Sequence, residues 1–156
     1  MADFNPSAKL RIDGEQSRTI NKCGLLVFDE KKQILLVRKR EGDTTTQLIL
    51  PGGQYEPGED DLSCLRREIK KELSTEMVEP IDFIGEFEDV AAADDLYDEK
   101  TVSIRLYTAG LVSTPEASNE IAEVVWYAPG WDDDDELSPI LRNKIIPFLM
   151  EHDYFS

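Results

Sequence analysis

Two hydrophobic periods alternate along the chain. Thr19 to Phe28 is a mostly apolar run with Gly24 inside it, the mark of a buried strand. Gln33–Arg38 gives a second strand, joined to the first by the turn residues Asp29–Lys32. Leu48–Leu50 gives a short third strand that stops at Pro51-Gly52-Gly53, where glycines permit a sharp loop and close approach to a ligand. The period then changes. Leu62, Leu65, Ile69 and Leu73 recur at helical spacing and predict a helix over 60–73. Glu59, Asp60 and Asp61 stand at its start, where the helix dipole favours negative charge, and Asp60 suits the N-cap. Ile81–Val90, Thr101–Val112 and Ile121–Tyr127 read as strands. A closing helix is expected from Glu136 or Ser138 to about His152, with Pro139 in its first turn and Pro147 as a kink. Residues 1–18 read as a polar lead-in, with a short strand at Lys9–Ile12, and 19–156 as a single domain. Ala91–Lys100 reads as a polar connection. This order predicts an α/β fold, a mixed β-sheet between helices.

Composition narrows the function more than the fold. With 156 residues, 40% of them hydrophobic, the chain can bury a real core. No apolar run approaches the roughly 18 residues of a membrane span, and Met1 to Leu10 lacks an apolar signal segment, so a cytoplasmic protein is expected. The net charge of −16 argues against long nucleic acid as a partner, which needs a basic face. A small phosphorylated substrate remains compatible if cations bridge the two negative partners. The acid run Asp132–Asp135 is better explained as a solvated loop than as a metal site. Cys23 and Cys64 read as reduced core residues.

One stretch carries chemistry: GQYEPGEDDLSCLRREIKKELST, Gly53 to Thr75. Glu68 and Glu72 are four residues apart on the predicted helix and leave the same face. Two carboxylates on a rigid helix beside a glycine loop can hold a hard cation through oxygen. Phosphoanhydride cleavage needs such cations, a positioned water and a carboxylate to orient or deprotonate it. The one histidine, His152, lies near the C-terminus, so a histidine mechanism has little material.

The spacing resembles the Nudix box, G-x5-E-x7-R-E-U-x-E-E-x-G-U with U aliphatic. Gly53, Glu59, Arg67, Glu68 and Glu72 match, and Ile69 fits the first U. The resemblance implies an α/β/α sandwich, and Mg²⁺ (or Mn²⁺) held by Glu68 and Glu72 with the Gly52 carbonyl as a further ligand. It implies that Glu68 or Glu72 activates the water, that Arg67 orients a helix carboxylate, and that Glu59 supports the loop. Glu120, six residues before Trp126, resembles an acidic residue that many members place ahead of a late strand, and is a further metal candidate. Three positions depart from the pattern. Lys71 stands where the family has a metal-binding glutamate, and Ser74 and Thr75 replace a glycine and an aliphatic residue. The serine and threonine affect how the helix ends. The lysine should weaken metal occupancy, most for a second or third ion; it could also turn outward or contact a substrate phosphate.

Arg38, Lys39 and Arg40 form the clearest basic cluster, and Arg38 and Arg40, with Gly53, are candidates to meet substrate phosphates. Asn143 resembles in position a base-reading asparagine of the MutT-like branch. Phe28, Phe83, Phe87, Tyr107 and Trp126 read mostly as core. The leading expectation is a metal-dependent hydrolase of a nucleoside di- or triphosphate or a related nucleotide, leaning toward MutT-like triphosphates, with a homodimer left open. The alternative is a degenerate domain that binds a nucleotide or a protein partner and cleaves poorly.

Overall fold

The computed structural model describes residues 19–41, 44–90, 101–130 and 136–155. The expected lead-in with its strand at Lys9–Ile12, the connection Ala91–Lys100 and the acid run Asp132–Asp135 lie outside the described residues. Seven strands are seen among the described residues: β1 (Thr19–Leu26), β2 (Ile34–Glu41), β3 (Thr44–Ile49), β4 (Gly52–Gln54), β5 (Met77–Val90), β6 (Thr101–Leu111) and β7 (Ile121–Tyr127). Helix α1 spans Asp61–Leu73; the chain closes with a π-helical turn, Leu141–Ile145, leading into α2 (Ile146–Glu151).

The strands form two sheets, ordered β4-β1-β6-β5 and β3-β2-β7. β1 runs parallel to β6, while β4, β5, β3 and β7 pair antiparallel with their neighbours, so the arrangement is mixed. Alternate side chains of the central strands serve opposite layers. Leu26, Ile34 and Leu36 pack toward the closing helix with Leu141, Ile145 and Leu149. Cys23, Leu25, Val27, Leu35 and Val37 pack toward α1 with Leu65, Ile69 and Leu73. Strands apolar on both faces must be covered on both faces. The result is the α/β/α sandwich that the pattern implied.

Three elements depart from the sequence expectation for local reasons. The Gly52–Gly53 loop is itself a strand, β4, hydrogen-bonded along β1 from Gly24↔Gly52 to Lys22↔Gln54. β5 begins at Met77, four residues early, and its register shifts between Val78 and Asp82. Pro80 lies in that interval and has no N–H to give the ladder, which an edge strand tolerates. Near the C-terminal end of the described residues the helix just before Pro147 is π-helical, with the Ile146 N–H bonded back to the Leu141 carbonyl.

Candidate active site

Helix α1 is fixed at both ends. At its start Asp60 caps the helix, its carboxylate accepting the Ser63 N–H at 2.8 Å. Next to it Asp61 accepts Tyr55 Oη at 2.7 Å, Arg105 Nε at 2.8 Å and the Tyr107 hydroxyl. At the far end the carbonyls left over by the helix are met by one loop. Ser118 N–H reaches Glu72 O, Glu116 N–H reaches Leu73 O, and Asn119 Nδ2 reaches Lys71 O at 2.6 Å. Ser74 takes the left-handed cap conformation, φ 55°, where glycine is usual. Its N–H bonds to Lys70 O, and its hydroxyl meets Ser118 Oγ at 2.5 Å. Thr75, the other departure, is buried and bonded to Ser113 Oγ at 2.7 Å. Both substitutions therefore tie the helix to residues 113–118, and that loop ends at Glu120.

This anchoring gathers the predicted carboxylates. One carboxylate oxygen from each of Glu68, Glu72 and Glu120 lies within 4.8 Å of the others. Glu68 is 5% exposed and Glu72 1%, although charged side chains are almost never this buried without a partner. The Gly52 N–H donates to Glu72 Oε1 at 3.1 Å. Burial, with Glu68 and Glu120 nearby, nonetheless raises the Glu72 carboxyl to about 7. Three carboxylates gathered this closely, two of them buried, form an oxygen donor set that fits a hard divalent cation.

Arg67 organises the loop side of the cluster. Its guanidinium grips Glu59 (Nε–Oε2 2.6 Å, NH2–Oε1 2.9 Å), Glu68 Oε2 at 2.7 Å and the Gln54 carbonyl at 2.9 Å. The bond from Arg67, helped by the Glu56 N–H, holds Glu59 down to about pKa 2. Arg67 thereby ties Glu59, Glu68 and the Gln54 carbonyl together. The glycines leave room. A Cβ on Gly53 would stand 2.5 Å from the Glu68 carboxyl carbon, and one on Gly52 (φ 141°) 2.1 Å from Cys23 O. Beneath them Cys23 and Cys64, free thiols 41 residues apart, touch at Sγ–Sγ 2.6 Å.

The basic residues are redistributed. Arg38 pairs with Glu123 at 3.0 Å and with Glu136. Arg40 is exposed, and its backbone N–H holds Glu120 O at 2.7 Å. The register of β2 against β7 shifts between Arg38 and Lys39, and it is Lys39 whose charge acts on Glu72. Lys22, which the sequence reading passed over, joins it: burial and the Lys39 charge lower its pKa, opposed by Glu72 and Glu68. Lys71 turns inward, with Nζ 3.5 Å from Glu68 Oε1 and 3.6 Å from Glu120 Oε2. Burial works against its ammonium, but the two carboxylates outweigh it and hold its pKa above the usual lysine value. Beside the cluster, Lys22 and Gly52 share a pocket with Ile20, Ile104, Ile140 and Ser138. Ser138 is 3% exposed, and its Oγ has no hydrogen-bond partner among the described residues. Asn143 is bonded to Asp89 at 3.1 Å and does not line this pocket.

A NUDIX domain matches residues 20–142. The chain belongs to the Nudix family. Its members are hydrolases acting on nucleoside diphosphate derivatives, generally with divalent metals. This Nudix chain is similar to a solved MutT protein of Methanosarcina mazei Go1, with 25% identity, a TM-score of 0.66, and 86% of this chain and 95% of that one covered. The Escherichia coli ORF135 protein shares the fold, with a TM-score of 0.64 at 18% identity over 86% of this chain and 91% of that one. Among curated proteins, the mRNA-decapping enzyme subunit 2 of Saccharomyces cerevisiae is 25% identical over 134 residues, which are 80% of this chain. The match spans only 12% of that relative's length. No helix among the described residues is long and apolar enough to cross a membrane.

Proposed function

We propose that the chain is a divalent-metal-dependent pyrophosphohydrolase cleaving a phosphoanhydride of a nucleoside di- or triphosphate or a related nucleotide. One observation carries the reading: two nearly inaccessible carboxylates of α1, Glu68 and Glu72, converge with Glu120 within 4.8 Å. These three, with the Gly52 carbonyl, would hold Mg²⁺ or Mn²⁺. The bound ion would neutralise phosphate oxygens and lower the pKa of water. Arg67 fixes Glu68, and the loop stitched to α1 fixes Glu120, so the donors are held before substrate arrives. Lys39 and Lys22 supply positive charge for phosphate in an acidic protein. Arg40, next to Lys39 on β2, and the Gly53 backbone on β4 are further candidate phosphate contacts. Water attacks phosphorus, the bridging P–O bond breaks, and the water proton passes to a carboxylate of the trio.

The apolar pocket beside Lys22 and Gly52, about 60 Å³, would admit an edge of the base, and the Ser138 hydroxyl, without a partner among the described residues, would read it. Residues 19–156 would act as one unit. The decapping relatives suggest capped RNA as a substrate, but a net charge of −16 disfavours a long RNA and favours a free nucleotide. A second reading, binding without efficient cleavage, is favoured by the Lys71 ammonium among the carboxylates.

The test is release of phosphate and pyrophosphate from nucleoside triphosphates (oxidised purines included), ADP-ribose, dinucleoside polyphosphates and a short capped RNA. Each runs with Mg²⁺, with Mn²⁺ and with chelator, beside Glu72→Gln. Metal-dependent turnover abolished in the variant supports the hydrolase. Nucleotide binding without turnover on any substrate would replace it by the binding reading.

A further inference from the structure

Lys71, like Arg67 a basic residue of α1 in contact with the cluster, divides it in two by its placement. Glu68 Oε2 is taken by Arg67 at 2.7 Å, while Glu68 Oε1 faces the Lys71 Nζ at 3.5 Å. The same Nζ lies 3.6 Å from Glu120 Oε2. The far side of the cluster is different: there Glu72 Oε1 receives a neutral donor, the Gly52 N–H. The Lys71 side chain is 43% exposed, so solvent was open to it, yet the ammonium leans in between Glu68 and Glu120. Its partners explain why. Glu68 is 7% exposed at the side chain and has lost most of its hydration, so a nearby cation is worth more there than at the surface.

We infer that the Lys71 ammonium is a tethered monovalent cation occupying the Glu68–Glu120 side of the cluster, so that the site takes up fewer divalent ions than its carboxylates could otherwise hold. The inference rests on the metal-dependent reading above. A divalent ion bridging Glu68 and Glu120 would meet the ammonium at close range, and like charges in a poorly solvated site repel strongly. On the Glu72–Gly52 side Lys39 and Lys22 act on Glu72, but no ammonium of α1 lies against it, so that side keeps its capacity for an ion. Lys71 would also supply, with no ion to recruit, part of the positive charge that phosphate oxygens require. The metal dependence of such a site should follow occupancy of fewer ions.

The test counts bound ions and does not depend on turnover. Free Mn²⁺ is measured by electron paramagnetic resonance while the intact chain is titrated, for wild type, K71E, K71Q and K71E/E120Q, each checked by circular dichroism. K71E should bind one more Mn²⁺ per chain than wild type, or bind its weakest ion about 10- to 100-fold tighter, the range seen when groups around a metal site are changed. K71Q, which removes the ammonium without adding charge, should shift the same way by less, and it decides the matter if K71E does not fold. K71E/E120Q should lose the gain. Equal counts and affinities in wild type, K71E and K71Q would overturn the inference while leaving a metal-binding site intact. No Mn²⁺ bound by any of them would overturn both the inference and the metal-dependent reading.

Discussion

Replacing Glu72 with glutamine should stabilise the metal-free protein while destroying its activity. Glu72 is 1% exposed, and burial together with Glu68 and Glu120 lifts its carboxyl from 4.5 to about 7. Each factor of ten in proton affinity corresponds to about 1.4 kcal/mol, so the shift sets a ceiling of about 3 kcal/mol. The sign follows from proton uptake. Between pH 4.5 and 7 the unfolded chain releases the Glu72 proton while the folded chain keeps it, so folding stability falls as pH rises through this window. Below pH 4.5 both states hold the proton and the penalty vanishes. Glutamine never ionises, and its amide oxygen can still accept the Gly52 N–H that now reaches Oε1 at 3.1 Å. Thermal denaturation in chelator should therefore show E72Q and wild type close together at pH 4.5. By pH 8 E72Q should be ahead by up to about 3 kcal/mol, roughly 5–10 °C for a chain of this size. Added Mg²⁺ should reverse the order, since free ion at about 1,000 times its Kd stabilises the protein that binds it by about 4.1 kcal/mol. A difference independent of pH, or a wild type that gains on E72Q as pH rises, would refute the reasoning.

Three further substitutions separate positioning, space and charge. Arg67→Lys loses the fork that joins Glu59, Glu68 and Gln54 O; kcat should fall about 10- to 100-fold with KM little changed, and unchanged kcat would show that the fork positions nothing. Gly53→Ala places a Cβ 2.5 Å from the Glu68 carboxyl carbon, so a Mn²⁺ titration should show about tenfold weaker binding; unaltered affinity would mean that Glu68 is not a ligand. Lys39→Met should raise KM and flatten its salt dependence, whereas Arg38→Met should lower Tm with KM unchanged, because Arg38 is engaged by Glu123 and Glu136; the opposite pattern in steady-state kinetics and melting would reverse the two assignments.

Helix α1 was readable because its signals are local: a capping aspartate, an apolar stripe and two carboxylates four residues apart all lie within 60–73. β4 was not, since glycines carry no side-chain pattern and the strand exists only through its bonds to β1. The basic cluster shows the same limit. Arg38-Lys39-Arg40 announces positive charge, but a register shift in β2 decides which side chain faces Glu72. Lys22 and Ser138 gave no signal of their own, because a single lysine in a strand and a serine at a helix start are ordinary. The Cys23–Cys64 contact joins residues 41 apart, and nothing local encodes it. Lys71 was visible as a departure, while its inward direction required Glu120, which a loop brings to α1 from 49 positions away.

The proposed chemistry requires a cation among Glu68, Glu72 and Glu120. Crystals grown with Mn²⁺ and a non-hydrolysable nucleotide, measured for anomalous scattering, address this directly. The predicted result is a peak within about 2.0–2.3 Å of carboxylate oxygens from this trio, adjoining the nucleotide phosphates. A peak on other carboxylates, or phosphates bound with no ion at the trio, would contradict the account.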